Sequence, residues 1–379
     1  MAFTRIYHIT TVHNRQDTRI FHKECVSLAK RYPGSVKLMV ADGLGNDKVQ
    51  GVEIFDLGVS PMGRLGRLLF GSIKVAFRCL KFRPDVVHFH DSELIIVGLF
   101  LRIVGIPVVY DMHENVPEDV KSKTWIPSWL RWPVAFLIKT IERIALPWFR
   151  VVIAEDSYGE FYPWLKKTTI VRNYPDYDRI ERFSSIAHKE YTVGYVGGVT
   201  ICRGILVVAQ AISDLREKGR DVNFLCIGPV QEKVKKDELF VKGCTEGWIV
   251  ATGRLMGEDA WCQVAKCKVG VAVLQNEPNY IRSYPTKLFE YMSLGVPVIV
   301  SNFPLYEQVV KESGCGFCIE PGDVATLSKR ICDVIDMSEY EYDSMVACGQ
   351  ESARERYCWS SEATVLIDFY SDFLPGISK

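Results

Sequence analysis

Two stretches in the second half of the chain combine residue types that bind phosphate. In Tyr195-Val-Gly197-Gly198-Val-Thr-Ile-Cys-Arg203-Gly204, two glycines follow a β-branched run and an arginine precedes a helical pattern. Glycines let backbone N–H groups close on an anion, and a helix N-terminus adds partial positive charge. A Gly-Gly pair after a strand also serves as a plain tight turn, so both readings stand for this stretch alone. The second stretch is Ser283-Tyr284-Pro285-Thr286-Lys287-Leu-Phe-Glu290, followed by Gly295-Val-Pro297 and an apolar run. Pro285 suits the first turn of a helix, which places Ser283, Tyr284 and Thr286 around its free N–H groups. Lys287 adds a cation. Glu290, one turn further in, offers its carboxylate to vicinal hydroxyls or, alternatively, complements the helix dipole.

The first half contributes histidines. His88 and His90 are two apart on a predicted strand and share one face, which would allow them to chelate a metal. No further ligand stands at a recognisable spacing, and with Asp91, at the strand's carboxyl end, they face the expected cleft, where hydrogen bonding to a bound ligand is preferred to a metal. His13, Asp17 and Arg19 lie in a loop leading into a helix. They read either as a ligand contact or as a loop-closing ion pair with a helix cap.

These residues require a scaffold of strands whose carboxyl ends converge. Short β-branched runs at Thr4–Val12, Val36–Val40, Val52–Leu57, Asp85–His90, Pro107–Tyr110 and Val151–Ala154 alternate with helical patterns such as Arg19–Arg31 and Leu65–Phe82. The pattern restarts at Thr192–Val196, Asn223–Ile227, Trp248–Ala251, Val269–Val273 and Val296–Val300. Continuous apolar strands separated by helices predict parallel sheets covered on both faces. The fold class is therefore α/β, with two doubly wound Rossmann-like domains facing a central cleft. The expected division is 1–175, a polar linker at 176–191, a second domain at 192–355, and a C-terminal helix at 356–379 packing back towards the first domain. In such sheets ligands bind beyond the strand carboxyl ends, where strand order reverses.

Composition narrows the partners. The 379 residues carry 46 Lys and Arg against 46 Asp and Glu, which argues against a polycation built for nucleic acid. Residues 1–175 hold 24 basic and 17 acidic residues, so the two halves carry opposite charge. The 12 cysteines follow no framework and the N-terminus reads as a strand, so a reducing cytoplasm is expected. Cys315 and Cys318 read as buried structural thiols rather than a zinc pair. No apolar run approaches the roughly 20 residues of a membrane span. Two segments nevertheless suit an anionic membrane surface. Residues 62–83 contain Arg64, Arg67, Lys74, Arg78, Lys81 and Arg83 and no acid. Residues 121–150 contain six Lys or Arg, one Glu, and Trp125, Trp129, Trp132 and Trp148.

Taken in order, these motifs resemble the GT-B nucleotide-sugar glycosyltransferases, specifically glycosyltransferase family 4 of the bacterial polysaccharide and O-antigen or lipopolysaccharide assembly type. The resemblance spans nearly the whole chain. It adds His13 to Glu24, Asp85 to Asp91, Val109 to Glu114 and Val171 to Asp176 to the two phosphate stretches. It implies that Gly197, Gly198 and Arg203 hold a diphosphate and that Glu290 binds the ribose. By the same resemblance Ser283, Tyr284, Thr286 and Lys287 approach phosphates and sugar, His113 contacts the transferring sugar, and the ligand contact of His13, Asp17, Arg19, His90 and Asp91 is to acceptor or sugar. His113, Arg203 and Lys287 are the implied catalytic set. Two departures stand out: Arg282 replaces a Glu common in the family, with Glu277 or Asn279 as substitutes for its sugar contact, and Gly198 stands where an Arg is frequent.

The implied activity is a retaining hexosyl- or N-acetylhexosaminyltransferase using a nucleoside-diphosphate sugar, UDP-sugar by family frequency. Its acceptor is lipid-linked or a glycan. The resemblance implies that no cofactor or metal is needed, and the expected location is the cytoplasm, on the inner face of the cell membrane. The competing readings are a UDP-sugar epimerase or hydrolase on the same fold, and a non-catalytic membrane-associated assembly partner.

Overall fold

The structure, a computed structural model, describes residues 4–59, 63–122, 126–184, 189–255 and 257–374, with the side chains of Arg64, Leu65 and Ser122 outside the description. Met62 and Trp125 of the two basic segments also lie outside it. The chain divides into two compact units, one running to Asn173 and resuming at Ser361, the other Tyr174–Ser360.

The first unit is built on β1 (Ile6–Ile9), β2 (Val36–Val40), β3 (Asp47–Val49), β4 (Val52–Asp56), β5 (Val86–Phe89), β6 (Val108–Met112), β7 (Arg150–Ile153) and β8 (Thr168–Ile170). Their order is β3-β4-β2-β1-β5-β6-β7-β8, and only the β3/β4 pair is antiparallel. The chain leaves β1 towards β2 and later returns to β5 on its other side, so strand order reverses between β1 and β5. β1, β5 and β6 are buried along their whole length, as expected of strands covered on both faces. Sequence reasoning missed β3 and β8, which are three residues long and lie at the edges, where few apolar positions are needed.

The second unit has β9 (Tyr191–Val196), β10 (Phe224–Ile227), β11 (Ile249–Gly253), β12 (Cys267–Ala272), β13 (Val298–Ser301) and β14 (Gly316–Ile319). The order β11-β10-β9-β12-β13-β14 is that of a doubly wound dinucleotide-type sheet, all parallel, reversing between β9 and β12. The buried Cys315 and the half-buried Cys318 pack into one core cluster of this unit.

The stretch 176–191, expected to be a linker, is largely structured. Helix Tyr177–Ile180 sends Tyr177 and Ile180 into the second unit's core, three positions apart, while its charged neighbours face outward. Its polar composition hid that inward pair; residues 185–188 are not among those described. Tyr174 anchors the start of this unit, edge-on to Phe289 at 4.9 Å and to Tyr357 at 5.5 Å. The last helix, Trp359–Ser371, belongs from Ser361 onward to the first unit.

Candidate active site

In the second unit, β9 ends at Gly197, whose φ of 129° is open only to glycine. A Cβ there would stand 2.9 Å from Arg203 Nη1, 3.2 Å from the Tyr195 hydroxyl and 3.5 Å from Lys287 Cε. Arg203 and Lys287, 84 positions apart in sequence, therefore converge on one glycine at the strand reversal. Arg203 closes the turn Ile201–Arg203 ahead of helix Ile205–Glu217. It is held by the hydroxyls of Tyr195 and Tyr280. Tyr195 in turn donates to Gly198 O at 2.9 Å. Gly204, at φ 76°, brings the helix start so close to β12 that a Cβ would lie 2.0 Å from Val273 O.

Lys287 is buried at the second position of helix Thr286–Ser293, with Nζ 5.0 Å from the Tyr195 ring centroid. Burial, and then the Arg203 charge, push its ammonium down to about 7 against the pull of Glu290. The same helix is tied to the sheet by Tyr291, whose hydroxyl accepts from Val196 N at 3.1 Å and donates to Val271 O at 3.4 Å. Two fixed cations beside a helix start and a glycine turn make a preorganised anion site.

The remaining predicted donor residues divide. Thr286 is exposed at the helix start and Glu290 is half-buried one turn on. Pro285 is the residue before the helix rather than part of its first turn. Ser283 donates to Asn279 O at 2.7 Å, and Tyr284 packs against Tyr174 and Phe289. Both are thus engaged within their own unit. Arg282 is exposed. Tyr195 and Tyr280, which position Arg203, were not singled out from sequence, because nothing local marks a tyrosine as an arginine clamp.

In the first unit a cavity of about 660 Å³ opens beside the β1/β5 reversal. His13, His90, Asp91, Ser92, His113, Glu114 and the Arg67–Glu93 pair supply its polar lining, with Arg67 Nη2 2.9 Å from Glu93 Oε1. Val116, Val120, Ile126, Val134 and Ile138 line it with apolar side chains from helices Val116–Ser122 and Ser128–Ala145 and the loop between them. The His13 and His113 rings meet edge to face at 5.2 Å. Such lining accommodates a molecule with hydroxyls at one end and hydrocarbon at the other.

Asp17, Arg19, His90 and Asp91 are each engaged by protein groups, and His90 and Asp91 also line the cavity. Asp17 caps the helical segment Thr18–Cys25, accepting from Arg19 N and Ile20 N at 2.9 Å each. Although burial opposes it, hydrogen bonds from His13 and those amides pull Asp17 down to about 2. Arg19 is buried and grips Asp111 with two bonds, 2.9 and 2.7 Å. Asp91 clamps the loop after β1, accepting from Thr11 N at 2.5 Å and from the Thr10 hydroxyl at 3.1 Å. His90 is buried, with Nδ1 3.0 Å from Asp111 and Nε2 3.0 Å from His8 Nδ1. Arg19, His90 and Asp91 have long-range partners that sequence spacing does not reveal, whereas those of Asp17 are local. The side chains of His13, Asp17 and His113 keep 28%, 25% and 18% exposure.

Helix Ser128–Ala145 turns its other side outward: Trp129, Trp132 and Phe136 are 74%, 69% and 74% exposed. Ile73 and Phe77 on helix Ser72–Phe82, and Ile96 and Ile103 on helix Ile95–Ile103, are exposed as well. These three helices pack in sequence, the middle one touching both others. No helix among the described residues is long and apolar enough to cross a membrane.

Comparison with known proteins agrees with this architecture. The sucrose-phosphate synthase of Thermosynechococcus elongatus superposes with a TM-score of 0.74 at 14% identity, covering 97% of this chain and 98% of that one. Anabaena HepE, solved in complex with UDP and glucose, superposes with a TM-score of 0.69 at 16% identity over 98% and 100%. The chain thus has the GT-B fold of two Rossmann-like domains. The family model described as Glycosyltransferase Family 4 matches residues 25–158, and that described as Glycosyl transferases group 1 matches 190–337. The chain belongs to these glycosyltransferases, with a family 4 domain preceding a group 1 domain. Sequence relatives include the sulfoquinovosyl transferase SQD2 of Arabidopsis thaliana, 22% identical over 77% of this chain and 58% of that protein. A phosphatidyl-myo-inositol mannosyltransferase of Mycobacterium leprae is 21% identical over 78% and 75%. The chain therefore spans a little over half the length of the first of these relatives and three quarters of the second.

Proposed function

We propose that this protein is a retaining, metal-independent transferase that moves a sugar from a UDP-sugar to a lipid-linked or glycan acceptor, in cell-surface polysaccharide assembly at the inner face of a bacterial membrane. The observation that carries the reading is the convergence of Arg203 and Lys287 on Gly197 at the strand reversal of the second unit. A departing nucleoside diphosphate gains charge as the glycosidic bond breaks, and two fixed cations with a helix start stabilise it. Glu290, on the helix that carries Lys287, is assigned to the ribose hydroxyls. The acceptor hydroxyl enters on the leaving-group face, and the departing phosphate oxygen takes its proton, so no enzyme nucleophile is required. His113, beside the cavity of the first unit, is assigned to the transferring sugar, and His13 to the acceptor.

Structural neighbours solved with UDP and glucose or with UDP-glucose support a UDP donor. The apolar lining of the cavity and the tryptophan-bearing outer face of the same helix support an acceptor with a lipid tail, presented at an anionic bilayer. Incubation of the purified protein with radiolabelled UDP-sugars, a GDP-sugar and a bacterial lipid extract tests the proposal. Label moving from a UDP-sugar into the lipid phase with retained anomeric configuration supports it. Epimerised or hydrolysed donor, with no labelled lipid or glycan, would overturn it.

A further inference from the structure

Beneath the cavity of the first unit lies a group of side chains that the transfer reaction does not use. Parallel pairing sets His8 of β1 opposite His88 of β5. Side chains two apart on a strand share a face, so His90 joins them. Glu24, on the helical segment Thr18–Cys25, reaches the same point, and all four are fully buried. One ligand atom from each lies within 4.8 Å of all the others. His8 Nδ1 is 3.0 Å from His90 Nε2, and Glu24 Oε2 is 3.9 Å from both His8 Nδ1 and His88 Nε2. Four ligands at about 2.0–2.2 Å from one ion stand roughly 3.3 Å apart, so modest contraction closes this set on a metal.

Two further observations point to a ligand. Glu24 Oε2 and His88 Nε2 are buried without a hydrogen-bond partner, and both are aimed at the common centre. Leaving such atoms unmade is costly, and a cation would satisfy both. The outward nitrogens of the histidines, by contrast, are all held by oxygen. His90 Nδ1 is 3.0 Å from Asp111 Oδ2, His88 Nδ1 is 2.8 Å from the Tyr370 hydroxyl, and His8 Nε2 is 3.5 Å from the same hydroxyl. Metal-binding histidines are oriented in this way by partners on the nitrogen facing away from the ion.

We infer that His8 Nδ1, His88 Nε2, His90 Nε2 and Glu24 Oε2 form a closed, tetrahedral site for a divalent transition metal, Zn2+ by its three nitrogens and one carboxylate oxygen. The ion takes no part in sugar transfer, because its site is sealed from solvent. It joins β1, β5 and the helical segment Thr18–Cys25, and through Tyr370 it fixes the last helix of the chain. This inference is independent of the proposed reaction.

The test is metal analysis of the full chain. Wild-type protein, refolded with Zn2+ and desalted, is expected to retain about one equivalent, whereas His88→Ala and Glu24→Gln retain almost none. Refolding under a chelator should lower the Tm by more than about 5 °C, with recovery on adding Zn2+ alone. Refolding with Co2+ reads the site without any variant: strong visible absorption from four-coordinate Co2+ supports it. Wild-type protein with no retained metal and an unmoved Tm, retention of the full equivalent by both variants, or a weak six-coordinate Co2+ spectrum would each overturn the inference.

Discussion

The ammonium of Lys287 rests 5.0 Å from the ring centroid of Tyr195, and the hydroxyl of that same tyrosine donates to Gly198 O at 2.9 Å. One aromatic side chain thus braces the glycine turn and seats the cation that faces it. Because the seat is buried, Lys287 titrates near neutrality, at about 7.

Donor affinity should therefore depend on pH. A diphosphate diester stays anionic through this range and favours the charged lysine, so the complex holds more protons than the free protein. Binding of a UDP-sugar is strongest below about pH 7 and weakens as pH rises through it, by up to about tenfold per unit in the steepest limit. Calorimetric titrations between about pH 6 and pH 9 check this. Lys287→Gln should bind more weakly and lose the slope.

Arg19 provides a contrasting test, since the structure makes it internal rather than acceptor-facing. Its two bonds to Asp111 and its contact with Glu24, 3.1 Å from Nε, are all buried. Arg19→Leu leaves the buried Asp111 carboxylate without its guanidinium and should cost about 3–5 kcal/mol in urea unfolding. A change below about 1 kcal/mol would indicate that the side chain is not committed to this network.

Gly204 tests how closely helix Ile205–Glu217 abuts the end of β12. Gly204→Ala places a Cβ 2.0 Å from Val273 O at positive φ, and should cost more than about 3 kcal/mol or prevent folding. Gly219 has a similar φ of 80° with open space around it, so Gly219→Ala should cost only about 1 kcal/mol. Thermal melts of the two variants give the comparison.

These contrasts show what was legible in the sequence. The glycine turn with Arg203 and the Pro285–Glu290 stretch could be read because each motif is local, with a strand end and a helix start close together. Their common target at Gly197 follows from strand order, which the alternation of elements already implied. The protein partners of Arg19, Asp91 and His90 are invisible to sequence spacing because they lie across the sheet, Asp111 being 92 positions from Arg19, whereas the helix cap at Asp17 is local and is one of the two readings its sequence offers. The metal reading of His88 and His90 was set aside for want of a third ligand. His8 and Glu24 come from another strand and a helix, and only the β1/β5 register reveals them. Edge strands of three residues and the inward Tyr177 and Ile180 carried too little periodicity to be seen.

The exposed face of helix Ser128–Ala145 predicts membrane association without a span. Trp129, Trp132 and Phe136 replaced together by Ser should abolish sedimentation with vesicles containing anionic lipid. The Tm should move little, because exposed side chains contribute little to the core. Binding of the wild type should weaken with salt, as expected when Lys139 and Arg143 on the same helix assist.

The most direct measurement is calorimetric titration of UDP into the wild type and into Arg203→Ala, Lys287→Ala and Glu290→Ala. The account predicts stoichiometric binding to the wild type, a loss of at least about tenfold in each variant, and unchanged melting temperatures without ligand. Wild-type affinity retained in Arg203→Ala and Lys287→Ala would contradict the assignment of the diphosphate to the Gly197 turn.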